Sequence, residues 1–396
     1  MTDGVHIPQW VWVLGGLVGL GLIALGGLLV LLPLIMPAAL EDVVVVVASY
    51  GLISLTVGLC LCGVGLRGWQ NRSSRRFYSK WVWGLLLALI LIIGVIGASF
   101  PAEGQSGFLF APLHFALITL PGLLLFSLVS LLAGSGAAIS IRRMLLAVIG
   151  GVSSIILALP VEFIGLMLSS LVGAAITLLT PGGEAEIDRI VQLMMRWVET
   201  PPSDESEIMG MLASPLVLMT LGLTLAIITP VVEEFGKTLV MGLLGIWSRP
   251  SLLPSFLMGA ACGLGFAWFE GVGNGALGLG ASSAWGISVS MRFLATAMHA
   301  LTSGILGLGW GWFWRRRRWA LPLCYVVSVL LHGLWNLNVV LSLAGAALNT
   351  TSEVMGSVAI IAGVSVQVAL TGMVLVALVS IPLVLRRRDE AVLATP

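Results

Sequence analysis

Residues 211–247 read MLASPLVLMTLGLTLAIITPVVEEFGKTLVMGLLGIW, a stretch whose only charged side chains are Glu233, Glu234 and Lys237. So long an apolar run reads as helix in lipid, because about 20 apolar residues already span the hydrocarbon core. Charge at that depth is costly to bury, so these three residues point to function before packing. The remainder of the chain follows the same pattern. Its 396 residues are 58% hydrophobic and only 9% charged, against roughly 25% charged in ordinary soluble domains. Lipid offers no hydrogen bonds to a bare backbone, so spans of this composition are helical. The fold class is all-α, a polytopic transmembrane helix bundle in an integral, multi-pass protein expected in the cell (cytoplasmic) membrane.

Eight further segments, 10–36, 43–66, 81–99, 113–138, 256–278, 287–312, 319–341 and 358–385, are each long enough for one span. Residues 144–180 and 211–247 are too long for one upright span and short for two, and a proline near the middle of each, Pro160 or Pro230, predicts an interrupted helix. Single crossings give ten spans and double crossings twelve; ten is the preferred count. Arg67, Arg72, Arg75, Arg76 and Lys80, Arg142 and Arg143, Arg315 to Arg318, and Arg386 to Arg388 mark the cytoplasmic side. Glu41, Asp42, Glu103 and Glu353 then fall opposite, and both termini are expected in the cytoplasm. The first apolar run far exceeds a signal core of about 7–15 residues, which predicts a retained helix. Four regions result: 1–143, a four-helix membrane region; 144–210, an interrupted helix with an acidic amphipathic segment; 211–341, the core; and 342–396, the last helix with a basic tail.

The most hydrophilic stretch, 181–210, is too short for a core of its own, since domains below about 40 residues usually need staples. A soluble catalytic domain is thereby excluded among these residues. Within it, Ile187, Ile190, Val191, Met194, Trp197 and Val198 recur at helical spacing, as in a helix lying on the membrane surface. The net charge of +1 suggests no nucleic-acid partner. Cys60, Cys62, Cys262 and Cys324 show no ligand spacing and read as small core hydrophobes. Gly259 and Gly263 have the spacing that lets two helices approach closely.

Function is concentrated in a few ionisable groups. Glu233, Glu234 and Lys237 form a Glu-Glu-x-x-Lys run, in which Lys237 lies one turn beyond both carboxylates and can hold one of them ionised. Adjacent glutamates point about 100° apart on a helix, so the other can face a cavity. Phe266 and Glu270 are four apart on the next helix, and His299 and His332 follow on the two after it. Counted from the cytoplasmic ends, Glu233, Glu270, His299 and His332 lie at a common depth, roughly 20–22 Å at about 1.5 Å per residue. Acids and imidazoles in one layer can take a proton from water and stabilise a developing oxyanion, the requirements of peptide hydrolysis. The same groups suit zinc, although no His-Glu-x-x-His run is present.

Glu233-Glu234-x-x-Lys237, Phe266-x-x-x-Glu270, His299 and His332, in this order over 211–341, resemble the PrsW family of intramembrane proteases, distant relatives of the CAAX-prenyl and bacteriocin-processing proteases. The resemblance implies cleavage of a membrane-protein substrate within the bilayer. It implies Glu233 and Glu234 as the catalytic pair, with Glu270, His299 and His332 completing the site. Lys237, Phe266, Ser303 and Asn336 would support it. Ser303 stands where the family pattern places an Asp. The resemblance leaves two mechanisms open, a glutamic-type one needing no cofactor and one using zinc held by Glu233, Glu270, His299 and His332. Two other classes fit the composition: a proton-coupled or small-solute transporter, suggested by Pro160-Val-Glu162 and Pro230-Val-Val-Glu233, and a non-catalytic membrane scaffold.

Overall fold

The computed structural model describes residues 8–35, 41–70, 74, 82–99, 108–134, 139–200, 205–276, 279, 282–349 and 353–394. Every long element among them is a helix: α1 (Gln9–Leu31), α2 (Glu41–Trp69), α3 (Val82–Ala98), α4 (Ala111–Ala133), α5 (Ile141–Leu178), α6 (Gly183–Glu199), α7 (Glu205–Leu212), α8 (Pro215–Leu223), α9 (Thr229–Ser248), α10 (Leu252–Gly275), α11 (Ser282–Phe313), α12 (Ala320–Asn349) and α13 (Glu353–Ala394). Arg72, Arg75, Arg76, Lys80, Glu103 and His6 lie outside the described residues, as do the side chains of Glu41, Asp42 and Glu353. Among the described residues nine helices are long and apolar enough to cross a membrane, and Val82–Ala98 is a shorter apolar tenth. Each segment of the ten-span reading thus contains helix among the described residues.

The two long segments behave differently from each other. Pro160 was expected to interrupt its segment, yet α5 runs unbroken for 38 residues with Pro160 inside it. A missing N–H removes one ladder bond, whereas a break in lipid would strand several backbone groups. Around Pro230 the chain instead forms a π-helical turn, Thr224–Ile228, between α8 and α9. α8 itself begins on Pro215, with the Ser214 hydroxyl accepting from the Val217 N–H, a proline and cap placed where a helix start favours them.

The helices divide into two compact units, one of Met1–Ile155, Lys237–Tyr325 and Val374–Pro396, the other of Ile156–Gly236 and Val326–Met373. In the first, α10 is the core helix, with 89% of its most apolar window buried. Gly259 and Gly263 bring it against α11, as their spacing predicts. A Cβ at Gly263 would stand 2.1 Å from the His299 carbonyl oxygen, and one at Gly259 equally close to that of Ser303. Val45, Ala48, Phe110, Ala111, Leu117 and Trp285 form one apolar cluster here, and Ile53, Val57, Ile118, Ile149, Val152 and Val272 another. His114 is fully buried beside them. The Trp285 indole donates to its Nδ1 at 3.1 Å, which leaves Nε2–H to donate to the Val272 carbonyl at 3.0 Å. It is a satisfied core histidine.

In the second unit, Glu186 of α6 accepts from Arg189 at 2.9 Å and from the Ser214 hydroxyl at 2.5 Å, which ties α6 to the start of α8. Ile190 and Leu193 of α6 are buried, whereas Val191, Met194 and Val198 are exposed. On α12, Asn338 donates both to the Gly363 carbonyl and to Gln367 of α13. Among the described residues no disulfide joins Cys60, Cys62, Cys262 or Cys324.

Candidate functional site

Five of the six expected ionisable groups are almost wholly enclosed: Glu233 is 4% exposed, Glu234 and Lys237 0%, His299 1% and His332 2%. The Glu270 side chain is 25% exposed. α9 carries Glu233, Glu234 and Lys237, with Lys237 one turn beyond the two carboxylates.

In the first unit, Lys237 Nζ lies 2.9 Å from His299 Nδ1, and His299 Nε2 lies 2.7 Å from Glu270 Oε2. An ammonium has only protons to give, so Nδ1 accepts and Nε2–H donates; the tautomer follows from the partners. The Phe266 ring underlies this pair. Lys237 Nζ is 4.1 Å from its centroid, a cation on an aromatic face, and the His299 ring is 5.4 Å away. Helix α10 reaches α9 a second time, where the Cys262 thiol donates to the Lys237 carbonyl.

Glu270 is crowded with donors. Arg292 donates to Oε2 at 2.8 Å, and Asn274 donates to Oε1 at 2.9 Å. Arg292 stands two turns before His299 on α11, and Asn274 one turn beyond Glu270 on α10, so both reach the same carboxylate. By sequence position both could orient these neighbours or merely bond between helices, and here both bond to Glu270. Ser303 Oγ, fully buried on the same helix as His299, has no hydrogen-bond partner among the described residues.

In the second unit, His332 Nδ1 lies 2.9 Å from Glu234 Oε1. An ionised carboxylate can only accept, so Nδ1–H donates to Glu234, and in the neutral ring Nε2 presents a lone pair. Glu233 Oε2 stands 3.8 Å from that Nε2. The gap is too wide for a direct hydrogen bond and suits one small atom touched by both groups. Asn336, four residues beyond His332, does not turn toward it; its amide donates to the Leu225 carbonyl at 2.9 Å.

The donor chemistry here fits a divalent metal ion. Glu233 offers a carboxylate oxygen and His332 an imidazole nitrogen, and Glu234 on the far ring nitrogen is the outer partner that ligating histidines characteristically have. Both nitrogens of His299 are hydrogen-bonded, and Glu270 accepts three bonds.

Counted from the helix ends, Glu233 stands 15 residues from Ser248, His299 14 from Phe313, His332 12 from Ala320 and Glu270 18 from Leu252. Helix α10 starts earlier than its apolar run suggests, because Pro254 in its first turn sits where no N–H is needed.

Residues 206–378 match the family model described as PrsW family intramembrane metalloprotease. The match extends past the 211–341 read from the motifs, into α13. No curated protein and no solved structure matches the chain.

Proposed function

We propose, from the premise that residues 206–378 belong to the PrsW family of intramembrane proteases, that this integral, multi-pass membrane protein hydrolyses a peptide bond of a membrane-protein substrate. The observation carrying this reading is the Glu233 Oε2 to His332 Nε2 gap of 3.8 Å, with Glu234 fixing the imidazole from behind.

Glu234 lies on the Nδ1 side of His332 and Glu233 faces its Nε2 side, so Glu233 is assigned as the general base. A water between Glu233 and His332 donates one O–H to each, which leaves its oxygen lone pairs free to add to a carbonyl carbon. Glu233 takes the proton as the oxygen adds, and returns it to the amide nitrogen as the C–N bond breaks. A divalent ion held by Glu233 and His332 would supply a polarised, more acidic water at the same position. Glu270 acts as a positioning residue, holding His299 and, through it, the Lys237 ammonium. The substrate is a membrane protein, and the cytoplasmic membrane is the proposed location.

The test is processing of a candidate membrane substrate in proteoliposomes, with purified Glu233→Gln and Glu234→Gln compared at equal abundance. Glu233→Gln is expected to lose cleavage by at least about 100-fold, the scale of a lost general base. Wild-type rates in both variants would sink the reading. Substrate-dependent proton flux without cleavage would favour a transporter. Bound metal, counted by mass spectrometry of the purified protein and lost in His332→Ala, would favour the metal-assisted form.

A further inference from the structure

The π turn that precedes the carboxylates is held from outside its own helix. In such a turn each N–H reaches five residues back, and Thr229 N–H does donate to the Thr224 carbonyl. The next donor in the series would be residue 230, which is proline and has no N–H. The Leu225 carbonyl therefore loses its helical donor, in a segment where lipid supplies none. Asn336 Nδ2 takes that place, donating to Leu225 O at 2.9 Å. The neighbouring carbonyl, Ala226 O, is the one a proline ring at 230 crowds in a regular helix. It lies against Gly333, where a Cβ would stand 2.4 Å from it. His332, Gly333 and Asn336 thus lie on the stretch of α12 that meets Leu225, Ala226 and Glu234.

An inserted π residue rotates everything after it by about 100° relative to an unbroken α-helix. That rotation decides which of two adjacent glutamates faces His332.

We propose that Asn336 is a positioning residue: it supplies the hydrogen bond that Pro230 cannot, holds the π turn open, and so sets the rotation at which Glu234 grips His332 and Glu233 faces its Nε2. The reason for an amide at this position is then the proline on the partner helix. This inference rests on the reading of Glu233 as the general base, and it deepens that reading by naming what aims it.

Its distinctive consequence is that the need for Asn336 should vanish when residue 230 regains an N–H. The experiment is a cycle of Asn336→Leu, Pro230→Ala and the double variant, with thermal unfolding in detergent and substrate processing both recorded. Asn336→Leu is expected to lower processing roughly tenfold or more, the effect of one stranded buried carbonyl. The double variant should recover to the level of Pro230→Ala alone, and the melting temperatures should show the same non-additivity. If Asn336→Leu does not accumulate, Asn336→Ala, which leaves room for a water, takes its place in the cycle.

A double variant that is folded but as impaired as the single one would overturn the proposal, because Asn336 would then act elsewhere, for example on the substrate itself. Coupled melting temperatures with unchanged processing would also overturn it, by reducing the bond to scaffolding. The melting cycle is read whether or not anything is cleaved. Failure of the protease reading, seen as normal processing by Glu233→Gln and Glu234→Gln, is therefore distinguishable from failure of this inference.

Discussion

Arg292 and His299 share one oxygen of Glu270, the guanidinium at 2.8 Å and the imidazole at 2.7 Å from Oε2. A carboxylate so placed is a structural hub: it neutralises an arginine inside an apolar segment while orienting a histidine. Removing Arg292 leaves Glu270 with less compensation than removing both. Arg292→Met should therefore destabilise by about 1–3 kcal/mol, and Glu270→Gln combined with it should cost less than the sum of the two. Thermal unfolding of the four proteins in detergent measures this, and strict additivity would contradict it.

The two adjacent glutamates should fail unequally. Glu233 is assigned to water and Glu234 to His332, so Glu234→Gln, which keeps an acceptor for Nδ1–H, should lose roughly 10- to 100-fold. Glu233→Gln should lose more. Equal defects, at equal protein abundance, would show that the two carboxylates are interchangeable.

Gly263 is a packing prediction independent of chemistry. Its missing side chain is what lets the His299 backbone pass, so Gly263→Ala should cost about 1–3 kcal/mol by overpacking. Gly16→Ala, on an open face of α1, is the control and should be close to neutral. Melting temperatures of the two variants decide it.

Glu186 supplies a pH prediction. Its bonds from Arg189, and secondarily from Ser214, hold its carboxyl below the ordinary range against a smaller opposing effect of burial. A group depressed in the folded state stabilises above its unfolded value, and that contribution fades as pH falls through the folded one. Glu186→Gln should therefore lower stability at pH 7 and match the parent in strong acid. The pair is partly solvated, so the difference at pH 7 is about 0.2–1 kcal/mol. A variant equally destabilised at both extremes would mean that Glu186 acts through shape alone.

Much of the fold could be read before any coordinates, and for a plain reason. Apolar length is a one-dimensional property, and lipid leaves a long apolar stretch little choice but helix. Identifying Glu233, Glu234, Lys237, Glu270, His299 and His332 as the telling residues needed the same reasoning, since charge inside such stretches is rare. Partnership was harder. Which nitrogen of His299 meets Lys237, and which glutamate meets His332, depends on helix rotation, and a single π turn before α9 shifts that rotation without any sign in the hydrophobic pattern. The parallel drawn between Pro160 and Pro230 failed likewise, because a proline's effect depends on the neighbours that can satisfy the carbonyls it frees. Arg292 and Asn274 were legible as anomalies, but not as partners of one carboxylate.

Burial along α10 has a consequence for anyone randomising this chain. A helix with one side against its neighbours tolerates replacement in a wave, permissive every third or fourth position. Helix α13, with only 22% of its comparable window buried, should show that wave, whereas α10 at 89% should not. From 252 to 275 a saturation library would return an almost unbroken stripe of intolerance, as though the helix had no outside. Inherited variation, if it obeys the same physics, will collect at the rim of this protein and spare that one rod.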